Sequence, residues 1–265
     1  MAALADRTGR VARFRVLDFL RLRRAAKAEP PAVPAGHRIY AIGDIHGRSD
    51  LLDGLLDLIT KDCAATEQTV HLVFLGDYVD RGPDSKGVIG RLLSLPARFE
   101  QQFLRGNHEQ ALLDFLADFE HYDLWSQYGA DETLSSYGVR PPRDYSIASR
   151  FEARASLVEA ISPAHMRFFK ALPLSWDIGD YFFAHAGVRP GTPLAEQKEE
   201  DLLWIREEFL RSRENFGKIV VHGHTPVDSP TRARNRINVD TGAYLTGRLT
   251  AVVLEGQKQR FLHTG

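Results

Sequence analysis

The sequence predicts an α/β protein whose first half is a parallel sheet with helical crossovers. Three observations carry this. Apolar runs of strand length at residues 39–42, 70–75 and 99–104 alternate with segments whose apolar residues recur at helical spacing. Strand, helix, strand, helix, strand in that order is the sign of parallel pairing. Each run also ends in a polar, glycine-containing cluster, and ligands of such sheets bind beyond the carboxyl ends of strands.

The elements follow in order. Ile39, Tyr40 and Ile42 form a short strand that stops at Gly43. Leu51, Leu52, Leu55, Leu56 and Ile59 mark a helix, and residues 70–75 a strand that stops at Gly76. Val88, Leu92 and Leu93 suggest a second helix before the strand at 99–104, which runs into Arg105-Gly106-Asn107. Residues 109–170 read as mainly helical, with a break at 138–144. Strand patterns return at 176–184, 218–221, 236–239, 249–255 and 259–263, and their short connections predict a second, mostly antiparallel sheet.

A chain of 265 residues can bury a large core. A net charge of −1 gives no global field that would draw nucleic acid. Cys63 is the single cysteine, so no internal disulfide framework exists, which suits a reducing compartment. No run approaches the roughly 20 apolar residues of a membrane span, and a cytoplasmic protein is expected. Residues 1–37 form a separate arm, with eight basic against three acidic side chains and a proline-containing linker at 30–36. The arm reads as a docking helix or frayed segment, with weak contact to an anionic surface as the functional alternative.

The chemistry sits in five clusters. Asp44 and His46 in Gly-Asp-Ile-His-Gly are two apart, so in extended geometry both side chains point the same way and can grip one cation. Asp77, in Gly-Asp-Tyr-Val-Asp-Arg-Gly, takes the same place after the next strand, and its two oxygens make it the natural ligand shared between two cations. Asn107 can ligate through its amide oxygen, while the adjacent His108 points elsewhere and is free to move protons. His185 follows an apolar strand, as do His222 and His224. Each histidine alone is more often structural than a ligand. Five strand ends that each deliver a metal-type side chain have no good structural explanation.

This series resembles the calcineurin-like metallophosphoesterases, and within them the phosphoprotein phosphatase branch, especially the bacterial and phage-type serine/threonine phosphatases. The resemblance runs from Arg38 to Thr264 and makes 38–265 one catalytic domain. It implies an αββα sandwich of two mixed sheets, with a helical lid or insertion at 109–170. It also implies two divalent metal ions, manganese first, with iron or zinc as alternatives that mixed N/O ligands accept. Asp44, His46 and Asp77 resemble the ligands of one metal. Asp77, Asn107, His185 and His224 resemble those of the other, His224 being preferred to His222 because the family pattern is Gly-His-Thr-Pro. Pro226 stands where some relatives carry a further histidine, so the first metal should hold more water. Arg81, Arg105 and, more loosely, Arg206 resemble the phosphate-binding arginines.

The implied reaction is phosphoserine/phosphothreonine hydrolysis on protein or peptide partners. A hydroxide between cations about 3.5–4 Å apart attacks phosphorus directly. His108 is the general acid for the alkoxide, and Asp80 orients it. The rival is a symmetrical diadenosine tetraphosphate hydrolase. Those enzymes typically read Ala and Asp where this chain has Asp80 and Glu109. The helical stretch at 109–170 is expected to be a lid or groove wall outside the chemistry. Its aromatics, Trp125 and Tyr137, are expected to be exposed and to tune peptide KM.

Overall fold

A computed structural model describes residues 29–144 and 146–265. The basic arm therefore lies outside the described residues up to residue 28. In chain order the elements are β1 (His37–Ile42), α1 (Ser49–Asp62), β2 (Thr69–Phe74), α2 (Ser85–Leu93), β3 (Glu100–Phe103), α3 (Asn107–Ala117), α4 (Tyr122–Trp125), α5 (Ala130–Ser136), α6 (Ile147–Ala160), α7 (Pro163–Ala171), β4 (Ser175–Ile178), β5 (Tyr181–Ala184), α8 (Glu199–Trp204), α9 (Glu207–Leu210), β6 (Ile219–His222), β7 (Thr231–Arg232), β8 (Arg236–Asn238), α10 (Ala243–Thr246), β9 (Thr250–Glu255) and β10 (Lys258–His263).

Two five-stranded sheets result, in the orders β10-β9-β1-β2-β3 and β4-β5-β6-β8-β7. Strands β1, β2 and β3 are parallel, as their alternation with helices predicts. The expectation of a mostly antiparallel second sheet is corrected in two ways. Its central strands β5, β6 and β8 run parallel. The last two strands do not join it: β9 pairs antiparallel with the open edge of β1, and β10 with β9. Length match offers a reason. Strands β1, β9 and β10 have six residues each, whereas β8 has three and its free edge is covered by β7. A long open edge leaves more backbone groups to satisfy. The single run read at 176–184 is a hairpin, because Gly179 adopts φ +55° and turns the chain between β4 and β5.

Side-chain alternation sorts each strand between layers. Tyr40 and Ile42 of β1 face the helical layer, packing with Leu52, Leu55 and Ile59 of α1 and Val88 and Leu92 of α2. Ile39 and Ala41 face the other way, into a core shared between the sheets with Val73, Tyr181, Phe183, Val221 and Ile237. Phe182 and Val220 point outward from the second sheet onto Leu202, Ile205 and Phe209. The order is helices, sheet, sheet, helices. Each fully buried Leu, Ile or Phe contributes roughly 1.5–3 kcal/mol through apolar transfer. Within the proline-containing stretch, Val33 is buried and donates to the Gly256 carbonyl. Among the described residues no helix is long and apolar enough to cross a membrane.

Helices α3 to α7 form part of the main core, and this corrects the view of Trp125 and Tyr137 as exposed. Trp125 is 0% exposed and Tyr137 4%. Helical spacing shows that one face is apolar but not which neighbour covers it.

Candidate functional site

The clusters after β1, β2, β3, β5 and β6 meet at one end of the sandwich, because parallel strands bring their carboxyl ends to the same edge. The local backbone is unusual. His46, Asp77, Asp80, Arg81 and His224 have φ between +47° and +71°, and they are the non-glycine residues of positive φ among those described. Such conformations cost about 1–3 kcal/mol each and persist only where the surroundings over-determine them. Close approach is also enforced. A Cβ at Gly106 would stand 2.1 Å from Asp77 Oδ1, and one at Gly223 would stand 2.1 Å from Asp44 Oδ1.

Glu109 anchors this backbone. Its buried carboxylate accepts hydrogen bonds from the N–H groups of Asp77 (2.8 Å), Tyr78 (2.8 Å) and Gly106 (2.9 Å), tying the loop after β2 to the start of α3. Burial and the neighbouring Asp77 push the Glu109 carboxyl up to about 7.

Asp77 lies at the centre. Its Oδ2 is 3.5 Å from His46 Nε2, and its Oδ1 is 3.4 Å from His185 Nε2, so the two oxygens face two different groups. On the His185 side, Nε2 lies 2.8 Å from Asn107 Oδ1 and 3.1 Å from His224 Nδ1, which is itself 2.9 Å from Asn107 Oδ1. His185 Nδ1 is 2.9 Å from the Leu75 carbonyl, and His46 Nδ1 is 2.9 Å from that of Val79. A carbonyl only accepts, so each Nδ1 carries the proton and each Nε2 turns a lone pair inward. Burial first, and neighbouring positive groups second, hold His46 and His224 well below the usual imidazole range; burial also lowers His185. Burial alone would raise Asp77, but a charged His108 beside it pulls it down.

Neutral imidazole lone pairs and an amide oxygen thus converge at 2.8–3.1 Å around His185, with the ionised Asp77 carboxylate 3.4 Å from His185 and 3.5 Å from His46. Lone pairs that face lone pairs are repulsive unless a cation lies between them, and deprotonated donors are what metal binding requires. The groups His46, Asp77 and His108 and Asp77, His185 and His224 each place ligand atoms within 4.8 Å of one another. These residues fit a two-metal centre with Asp77 shared.

His108 belongs to the first group by distance, but its bonding separates it. Its Nδ1 is 2.7 Å from Asp80 Oδ2, and its Nε2 is 3.2 Å from the Arg81 guanidinium. A nitrogen that faces a guanidinium is badly placed to hold a cation as well. Burial lowers its affinity for a proton, but Asp77 and the bond to Asp80 more than compensate and raise it above the ordinary value.

The remaining expected residues divide. Asp44 accepts from the His224 N–H, at 3.0 Å for Oδ2. Arg81 stacks over Tyr244, 4.7 Å from the ring centre. Arg206 is exposed and reaches Thr225 Oγ1 at 3.4 Å. The Arg105 guanidinium turns instead to Gln110 (2.9 Å) and Glu199 (3.4 Å). His222 points away from the cluster onto Phe209, ring centres 4.9 Å apart. His224→Ala should therefore lower metal affinity by roughly 10-fold or more, whereas His222→Ala should mainly cost stability through lost packing. Metal titration of both variants checks this, and the reverse ranking of affinities would overturn the preference for His224.

Sequence reasoning missed a sixth strand end. Asp240, two residues past β8, is buried against Asp44; burial, with Asp77 nearby, pushes it up to about 6. The signal was present, since Val239-Asp240-Thr241-Gly242 again sets a carboxylate just past an apolar strand. Three half-buried aromatics also surround the centre: Tyr128, from the helical stretch read as a groove wall, and Trp204 and Tyr244, whose place here was unforeseen. Tyr128 lies 5.5 Å from the His108 ring, Trp204 6.2 Å from His224 and Tyr244 5.3 Å from His46.

Comparison with known proteins places this geometry. Residues 37–251 match the family model described as calcineurin-like phosphoesterase. The chain is 30% identical over 217 residues to serine/threonine-protein phosphatase 1 of Salmonella typhimurium, covering 80% of this chain and 89% of that protein. It is 26% identical over 235 residues to the asymmetrical bis(5'-nucleosyl)-tetraphosphatase PrpE of Geobacillus thermodenitrificans, covering 81% and 89%. Among solved structures, a cold-active protein tyrosine phosphatase mutant superposes with a TM-score of 0.56 at 16% identity, covering 88% of this chain and 82% of that one; this likeness concerns the fold.

Proposed function

The chain belongs to the calcineurin-like phosphoesterase family, and on that premise we propose that it hydrolyses phosphate monoesters, with phosphoserine and phosphothreonine of proteins as its substrate class. The Asp80–His108 pair carries the reading. Both residues are buried, their bond is 2.7 Å, and His108 Nε2 opens beside Arg81. A serine or threonine alkoxide is a poor leaving group and needs a proton in the transition state. A positioned acid is worth roughly 10²–10⁴-fold there. A departing nucleotide phosphate needs less help.

Asp44, His46 and Asp77 would hold one divalent cation, and Asp77, Asn107, His185 and His224 the other. Manganese, iron and zinc all suit such a mixed set. When bound, the cations supply an activated water and neutralise phosphoryl charge. The chain's own residues do the rest. Arg81 and Arg206 hold phosphoryl oxygens through paired guanidinium contacts; Arg105 would join them only by giving up Glu199. Asp80 fixes the imidazole through Nδ1; His108 Nε2, which accepts from Arg81 in this structure, takes up a proton once Arg81 turns to the phosphoryl oxygens and delivers it to the leaving oxygen. No side-chain nucleophile is needed, and Cys63 is buried in the helical layer.

A second reading has one specific observation behind it. Tyr128, Trp204 and Tyr244 could stack a nucleobase, and base–aromatic stacking is worth about 1–3 kcal/mol per base. This favours a dinucleoside tetraphosphate, cleaved either symmetrically or asymmetrically. Metal-loaded protein assayed in parallel on a phosphoserine peptide, a phosphotyrosine peptide and diadenosine tetraphosphate separates the readings. The phosphoserine peptide should show the highest kcat/KM. A higher value for the dinucleotide would replace the first reading, and the products (two ADP, or ATP and AMP) would name the cleavage mode.

A further inference from the structure

The helical segment after α3 reaches the reacting groups through hydrogen bonds. Asp80 is fully buried, and its carboxylate has three side-chain partners. Oδ2 accepts from His108 Nδ1 (2.7 Å) and from the Trp125 indole N–H (2.9 Å). Oδ1 accepts from the Thr133 hydroxyl at 2.6 Å. The same hydroxyl oxygen receives the Asp80 N–H at 2.8 Å and lies 3.0 Å from Ser85 Oγ. Trp125 comes from α4 and Thr133 from α5, both in the stretch expected to stand apart from the chemistry.

Nothing in this arrangement is slack. Thr133 Oγ1 uses its one donor on Oδ1, and its lone pairs face Asp80 N–H and Ser85. The indole has a single donor and spends it on Oδ2. The Trp125 ring packs against Phe115 of α3, the helix that opens with Asn107 and His108, with centres 5.0 Å apart. The next turn adds a backbone contact, because the Gly129 carbonyl accepts from Arg81 N–H at 3.2 Å. Hydrogen bonds to a charged acceptor are strong, and fully satisfied buried networks fix one geometry.

We propose that Trp125 and Thr133 are positioning residues: they hold the Asp80 carboxylate in the single orientation that aims His108 Nε2 at the leaving oxygen. This rests on the reading of His108 as general acid. Both side chains are fully buried, so their removal acts on the proton-dependent step and spares substrate binding.

The test uses full-length, metal-loaded Trp125→Phe, Thr133→Val and Thr133→Ser, with His108→Asn alongside. Each is assayed on a phosphoserine peptide and on p-nitrophenyl phosphate, whose leaving group needs no proton. Trp125→Phe and Thr133→Val should lower kcat on the peptide roughly 10–100-fold, the scale of losing an outer partner of a site residue. KM should hold, the loss on p-nitrophenyl phosphate should be much smaller, and Thr133→Ser should recover most of the peptide rate. Should Trp125→Phe fail to fold, the Thr133 pair decides alone. Equal losses on both substrates, a change confined to KM, or a serine variant no better than valine would overturn the proposal. If His108→Asn shows the leaving-group split while Trp125→Phe and Thr133→Val do not, the positioning role fails and the acid stands. If His108→Asn shows no split, the acid assignment falls and the positioning role falls with it.

Discussion

Asp77→Asn should give a folded protein that holds neither cation and hydrolyses phosphoserine peptide at background rate. Asp77 turns one oxygen to the His46 side and the other to the His185 side, so its loss removes a ligand from both positions. The drop in turnover should exceed the roughly 10²–10³-fold that a single transition-state donor is worth, because both the activated water and the charge neutralisation go together. The fold should survive. Glu109 holds the backbone N–H of residues 77 and 78 whatever side chain stands at 77, and the φ of +53° there suits asparagine at least as well as aspartate. Elemental analysis with circular dichroism reads the result. A folded variant that retains two metals would remove Asp77 from the shared position.

His108→Asn should show the second-largest effect and a different pattern. Both metals should stay bound, because His108 bonds to Asp80 and Arg81 and lies outside the His185–His224–Asn107 group. Turnover on alkyl phosphates should fall by roughly 10²–10⁴-fold. The fall on p-nitrophenyl phosphate should be far smaller, since nitrophenolate leaves without a proton. Steady-state kinetics on the two substrates, with metal content measured in parallel, checks this. Equal losses would mean that His108 serves binding or structure and delivers no proton.

The two predictions draw on parts of the sequence that were legible to different degrees. The strand-ending clusters could be read because each joins a strong local period to a residue type that only a site explains. Asp44, His46, Asp77, Asn107, His185 and His224 all come to one edge of the sandwich. Choosing which sheet takes β9 and β10 was a different kind of problem. Their pattern is the same in either sheet, and the decision depends on which distant edge is open. Asp240 was passed over because a lone carboxylate after a strand has no partner in its own motif; its importance comes from Asp44, nearly two hundred residues earlier. Trp125 was misjudged for a related reason. It was read as an exposed aromatic of a groove wall, and only the fold shows it buried with its indole nitrogen reaching Asp80, 45 residues away in sequence.

The most direct test of the two-metal account is a titration of metal-stripped protein with manganese, following activity on a phosphoserine peptide against metal bound per chain. The account predicts no activity without metal and a rise that completes at two equivalents. Full activity in the presence of chelator, or saturation at a single equivalent, would contradict it.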